Sequence, residues 1–154
     1  MIAVMAHGDN AFRLVDGAGR DVGWVRSKTI GFGGFPSEHA AHAAALDGGR
    51  ALARCLKREF GVAHAEFSER PRTRTVRDGD AEWIAAGKVR IARLLRGENG
   101  KSDSHELAIE FRLPPYASDA VAINAALIMY GAFGRVLVAT SGASAFAATG
   151  GTAD

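Results

Sequence analysis

The chain of 154 residues has a single cysteine, Cys55. One thiol excludes an intramolecular disulfide and a cysteine-based zinc site. Cys55 shares a helical face with Leu52, Leu56 and Phe60 and reads as a buried structural thiol rather than a nucleophile. Net charge is also scarce. Lys and Arg total 19 against 17 Asp and Glu, a balance of +2 that does not by itself call for a polyanionic partner. Long apolar runs are missing. The longest, `AVAINAALIMYGAFG`, falls short of the ~20 residues of a membrane span. The N-terminal `MIAVMAHGDN` has no basic flank, and its apolar run is too short for a signal peptide. The expectation is a cytoplasmic protein without a membrane partner.

Recognisable catalytic motifs are missing too. There is no `GxSxG`, and `TSGAS` is a small-residue loop rather than a nucleophile elbow. `GFGGFPS` has glycines before a helix, as a phosphate cradle requires. It lacks the Lys-Ser/Thr of a P-loop and the glycine spacing of a dinucleotide fold, and Pro36 removes one amide. Its glycines read as relief from crowding, with Phe32 and Phe35 entering the core. `EHAAH` puts Glu38, His39 and His42 within one helical turn. The order is wrong for a zincin and further ligands are wanting, so they read as exposed helix-face residues. Glu106, Ala108, Glu110 and Arg112 alternate with Leu107, Ile109 and Phe111 and form the solvent side of a strand. No catalytic residue, metal site or cofactor is expected, and the reading leans away from an enzyme.

What is present suits a folded domain. The hydrophobic fraction is 47% and the charged fraction 23%, which is ordinary for a globular chain. Residues 1–154 are read as one domain. `AFRLVDGAGRDVGWVRS` reads as a hairpin whose loop glycines supply positive φ, and `TIGFGGF` follows as a third strand. Pro36 ends that strand, Ser37 caps a helix, and Gly61 stops it after Phe60. Gly48-Gly49 weakens the middle of this helix. If the helix is continuous, Gly48→Ala stabilises it by about 0.5–1 kcal/mol.

The second half echoes the first. `WVRSKTIGF` at Trp24 is matched by `WIAAGKVRIARLL` at Trp83, and Phe60-Gly61 by Phe133-Gly134. Between them lie the strand `HELAIEFRL`, Pro114-Pro115 and a helix capped by Ser118. Residues 80–97 also fit a helix capped by Asp80, but the echo of Trp24 favours a hairpin. `RVLVATS` reads as a last strand. The predicted class is α+β: two possibly duplicated strand-strand-strand-helix units, 11–61 and 73–141, with antiparallel sheet packed on two main helices. Residues 142–154 form a loose tail. This order resembles small α+β modules that bind nucleic acid, a likeness of topology alone.

Two surfaces follow. From Arg50 to Lys101 there are 13 basic and 7 acidic residues. The candidate nucleic-acid contacts are Arg70, Arg72, Arg74, Arg77, Arg90 and Arg93, because a guanidinium donates a planar fork to phosphate. Trp24 and Trp83 could stack bases if exposed. Local pairing with Glu66, Glu69, Asp78, Asp80 and Glu82 is the competing account. The second surface is the helix from Ala120 to Gly134, which carries no charge. A helix apolar all round is buried all round. Val121, Ile123, Leu127, Ile128 and Tyr130 therefore form a candidate interface with a protein partner, most simply a second copy. Protein binding through self-association is the leading expectation and nucleic-acid binding the alternative.

Overall fold

The computed structural model describes residues 2–61, 71–96 and 107–133. Among these residues eight strands form one antiparallel sheet: β1 (Ala3–Ala6), β2 (Ala11–Val15), β3 (Asp21–Arg26), β4 (Thr29–Phe35), β5 (Thr73–Asp78), β6 (Ala81–Ala86), β7 (Val89–Leu95) and β8 (Leu107–Arg112). Their order is β1-β2-β3-β4-β8-β7-β6-β5. Helix α1 (Glu38–Phe60) follows β4, and helix α2 (119–133) follows β8. The expected α+β class holds; unit 11–61 carries the three expected strands, β2–β4, before α1, with β1 lying ahead of it, whereas the described part of 73–141 carries four, β5–β8, rather than three. The strands that escaped notice are the outermost ones. β1 is four residues long and mostly exposed. In β5 threonine and arginine alternate where an apolar face would normally announce a strand.

Turn chemistry sets where the strands stop. In the β2–β3 loop the Asp16 carboxylate accepts from the backbone N–H of Ala18 and Arg20, both at 2.9 Å. Gly19 takes φ 82°. Ser27 (φ 48°) and Lys28 (φ 67°) make the two-residue β3–β4 turn. Two successive positive φ values match the right-handed twist of the flanking strands. In place of a helix, residues 81–95 form the β6–β7 hairpin, whose turn uses Gly87 at φ 61°.

α1 is one continuous helix. The Ser37 hydroxyl accepts from the Ala40 N–H, and Gly61 closes the other end in the left-handed conformation. Its buried stripe is made largely of alanines, with Gly48, Leu52, Cys55 and Leu56. Small side chains let it lie close on β4, β7 and β8. Gly48 has a packing reason: a Cβ there would sit 3.0 Å from Phe111 Cζ and 3.4 Å from Phe133. The helix is continuous, as the expected gain from Gly48→Ala required, but this crowding opposes that gain.

α2 starts where the Ser118 hydroxyl accepts from the Val121 N–H. It buries Ala122, Ala125, Ala126, Met129 and Phe133. The Phe133 ring meets Phe32 edge-on at 4.7 Å and lies 6.1 Å from Phe35. Ile30, Phe32, Ile84, Leu94, Ile109 and Phe111 complete the core beneath the two helices. Neither described helix is long and apolar enough to cross a membrane. The expected strand `RVLVATS` and tail 142–154 lie outside the described residues.

Candidate functional site

The phenylalanine contacts put both helices on one face of the sheet. Among the described residues no element covers the other face. Its side chains follow from the strand register, because residues paired across neighbouring strands point the same way. One row crosses all eight strands: Met5, Arg13, Trp24, Gly31, Glu110, Arg93, Trp83 and Val76. Both tryptophans thus stand on the open face, each half-buried. Four strand spacings separate them, about 19 Å at ~4.8 Å per spacing.

Each tryptophan carries an arginine. The Arg26 guanidinium lies 5.8 Å from the Trp24 ring centroid, and that of Arg90 lies 5.4 Å from the Trp83 centroid. Such cation–π contacts hold the fork flat on an indole while leaving its N–H donors to the side. Trp24 also leans across the neighbouring strand. A Cβ at Gly31 would fall 2.0 Å from two of its ring carbons, so only glycine leaves room for this indole. Trp24 Nε1 is shut off from solvent without a partner among the described residues. The exposed part of the ring is therefore apolar.

Charge on this face is unbalanced. Arg74, on β5, and Arg112, on β8, join Arg13, Arg26, Arg90 and Arg93. The carboxylates are Asp21, Asp78 and Glu110. Asp21 takes Arg13 at 2.7 Å and Asp78 takes Arg90 at 3.0 Å. Among the described residues, Arg26, Arg74, Arg93, Arg112 and Glu110 enter no ion pair. Beside Trp24 the face sinks into a groove of about 580 Å³, lined among others by His7, Arg13, Gly33 and Ala108.

The six arginines expected from the sequence do not all meet. Arg74, Arg90 and Arg93 share the open face, and Arg72 precedes β5 and is exposed. Arg77 pairs across from Glu82, on the helix side. Arg70 lies outside the described residues, as do Glu66, Glu69 and Glu106. Sequence reasoning missed Arg26 and Arg112. They lie outside the dense basic segment, and only the meeting of β4 with β8 brings them in. Arg26 had one signal: it alternates with Trp24 and so shares its face.

A second polar cluster sits on the helix side and reads as structural. His42 is not an exposed helix-face residue. Its Nδ1 lies 2.7 Å from Thr73 Oγ1 and its Nε2 lies 3.0 Å from Thr75 Oγ1. A neutral imidazole, with one donor and one acceptor nitrogen, suits two hydroxyls. Burial pushes the His42 pKa below its ordinary value, against the pull of Glu38. Arg96 bridges Glu82, at 2.8 Å, and Glu38. These contacts tie the start of α1 to β5 and to the β6–β7 hairpin. Among the described residues no group of three or more His, Cys, Asp or Glu could hold a metal ion.

The second expected surface is partly spent on the core. Ile128 and Tyr130 pack against it. Val121 and Ile123 are half-buried, and Leu127 is 38% exposed. The outward stripe of α2, Ala120, Asn124, Leu127 and Gly131, has no charge and little apolar bulk. No family model, curated protein or solved structure matches this chain.

Proposed function

We propose that the protein binds single-stranded nucleic acid along the open face of its sheet. The observation that carries this reading is the pair of half-buried tryptophans, each topped by an arginine, on a face with unpaired guanidinium groups. Bases stack on aromatic rings at about 1–3 kcal/mol each without regard to sequence, while arginines hold the phosphates. A duplex hides its base faces, so a platform of this kind favours single strands. An extended strand running across the sheet would meet Trp24 and Trp83 in turn. Each ring would take a base, with its arginine displaced toward the neighbouring phosphate.

The test is binding of a labelled oligothymidylate as a function of salt. If Arg26, Arg74, Arg90, Arg93 and Arg112 each neutralise one phosphate, log K falls against log salt with a slope near −3.5, at about −0.7 per phosphate. Replacing Arg93 and Arg112 together with Ala should bring the slope to about −2.1. Binding should also quench tryptophan emission. No binding at low salt, or an unchanged slope in the double variant, refutes the reading.

A second reading is self-association through α2. The uncharged outward stripe around Leu127 favours it, since charge is depleted at the centre of interfaces. Val121, Ile123, Ile128 and Tyr130 would flank that contact. Leu127→Asp is the cleaner probe, because Ile128 also serves the core. Light scattering should then show a wild-type oligomer and a monomeric variant. A monomeric wild type ends this reading. The matching strand–helix order of the two halves is what a duplicated unit would leave behind, and we read it so. The sequence echo is offset from that order, because Trp24 lies on β3 and Trp83 on β6.

A further inference from the structure

We infer that the sheet contains a base-insertion slot where β7 and β8 part, selective for a base whose edge donates hydrogen bonds, guanine foremost. The inference rests on the nucleic-acid reading above and adds a sequence preference to it. β7 and β8 pair only through Arg93–Glu110, Leu94–Ile109 and Leu95–Ala108. The start of β7 and the last two residues of β8 have no ladder partner across this gap, although β8 stays paired with β4 as far as Arg112. The gap opens into a cavity of about 130 Å³. Its inner wall is α1, through Leu52 and Ala53, and its rim holds Trp83, Arg90, Glu110 and Arg112.

Each part has a ligand-facing reason. An apolar cavity of about 150 Å³ takes a benzene ring, so this one has room for the six-membered ring of a single base seated at its mouth, with the ring's donor edge turned to Glu110 on the rim. The apolar inner wall excludes charge. The two arginines on the rim, Arg90 and Arg112, supply positive charge for the flanking phosphates. Glu110 is the discriminating group. Its carboxylate has no hydrogen-bond or ion-pair partner among the described residues, and an ionised carboxylate only accepts. Guanine presents two adjacent donors to it, the ring N–H and the 2-amino group. Thymine and uracil present one donor between two carbonyl oxygens that a carboxylate repels. Only an unpaired base offers this edge, so the slot also favours single strands.

The experiment compares oligothymidylate with the same strand carrying one central guanine, or one hypoxanthine, which lacks the 2-amino group. Fluorescence anisotropy gives the affinity ratio for wild type, Glu110→Gln and Ala53→Met. Using the ratio within each protein cancels the general gain that Glu110→Gln brings by removing a negative charge. Wild type should prefer the guanine strand by at least about fivefold, with hypoxanthine in between. The ratio should fall to near one in Glu110→Gln, which loses the second acceptor, and in Ala53→Met, which fills the slot from α1. Glu110→Gln is an isosteric change at a half-buried position and keeps the test intact should Ala53→Met fail to fold. Wild type that binds oligothymidylate without preferring guanine overturns the slot and leaves the open-face reading standing, as does a preference that survives Glu110→Gln. Wild type that binds neither strand overturns both.

Discussion

Replacing Gly31 with alanine tests the geometry on which the tryptophan platform depends. The new Cβ would sit 2.0 Å from two indole carbons of Trp24, whereas carbon atoms in contact rest about 3.5–4.0 Å apart. The ring must retreat by roughly 1.5 Å or more, and it is held between Arg13, its cross-strand neighbour, and Arg26. Overpacking of this kind costs about 1–3 kcal/mol. Removing a glycine from a strand returns about 0.5–1 kcal/mol. The net loss is up to about 2.5 kcal/mol, or a fall in Tm of up to about 10 °C for a domain of this size. The assay is thermal unfolding by circular dichroism, with tryptophan emission recorded in a Trp83→Phe background so that Trp24 alone reports. Emission should shift to the red as the ring lifts off β4 into water. An unchanged midpoint together with unchanged emission would refute the placement of Trp24 over Gly31.

Gly48→Ala should lower stability by up to about 2 kcal/mol, because crowding against Phe111 and Phe133 outweighs a helix-propensity gain of about 1 kcal/mol; a rise in the urea midpoint would contradict this. His42 has a folded pKa held below 6.5 by burial. As pH falls the unfolded chain takes up that proton first, so the His42 contribution is complete above about pH 6.5 and is lost as pH falls toward the folded pKa. His42→Gln should flatten this part of the curve of Tm against pH, and a parallel curve would contradict the burial of a neutral imidazole. Arg93→Ala should reduce the salt slope of oligonucleotide binding by about 0.7, and Arg77→Ala on the helix side should leave it unchanged; equal effects would show that the two faces are not distinguished.

Much of the fold was legible where local chemistry decides it. Ser37, Gly61 and Pro36 bracket α1, and the alternation from Phe12 to Phe35 writes β2 to β4 directly. The outer strands were harder. β5 has no apolar face to reveal it, since Thr73 and Thr75 look toward α1 through hydrogen bonds to His42 rather than through packing. Gly48 reads as a weak point from the sequence because its partners, Phe111 and Phe133, lie far along the chain. The candidate site was half legible for the same reason. A run such as `PRTRTVRD` advertises charge, but only strand pairing divides Arg74 from Arg77. Only the β4–β8 contact sets Trp24 and Arg26 on one surface with Arg93 and Arg112.

That β4–β8 contact also bears on how the chain reaches its native state. Every other neighbouring pair in the sheet joins strands consecutive in the chain, whereas here Phe32 stands opposite Ile109. Hairpins form in about 1–10 μs, so the pieces of each half can assemble early. Joining them requires a long-range encounter, which slows folding more than it weakens the product. During synthesis the first half leaves the ribosome with Phe32 and Phe35 covered only by the alanine face of α1. It must wait for Phe111 and Phe133 before its aromatic surface closes. Variants that loosen this seam should therefore show their largest effect on the refolding rate and on losses to aggregation, with equilibrium stability changing less.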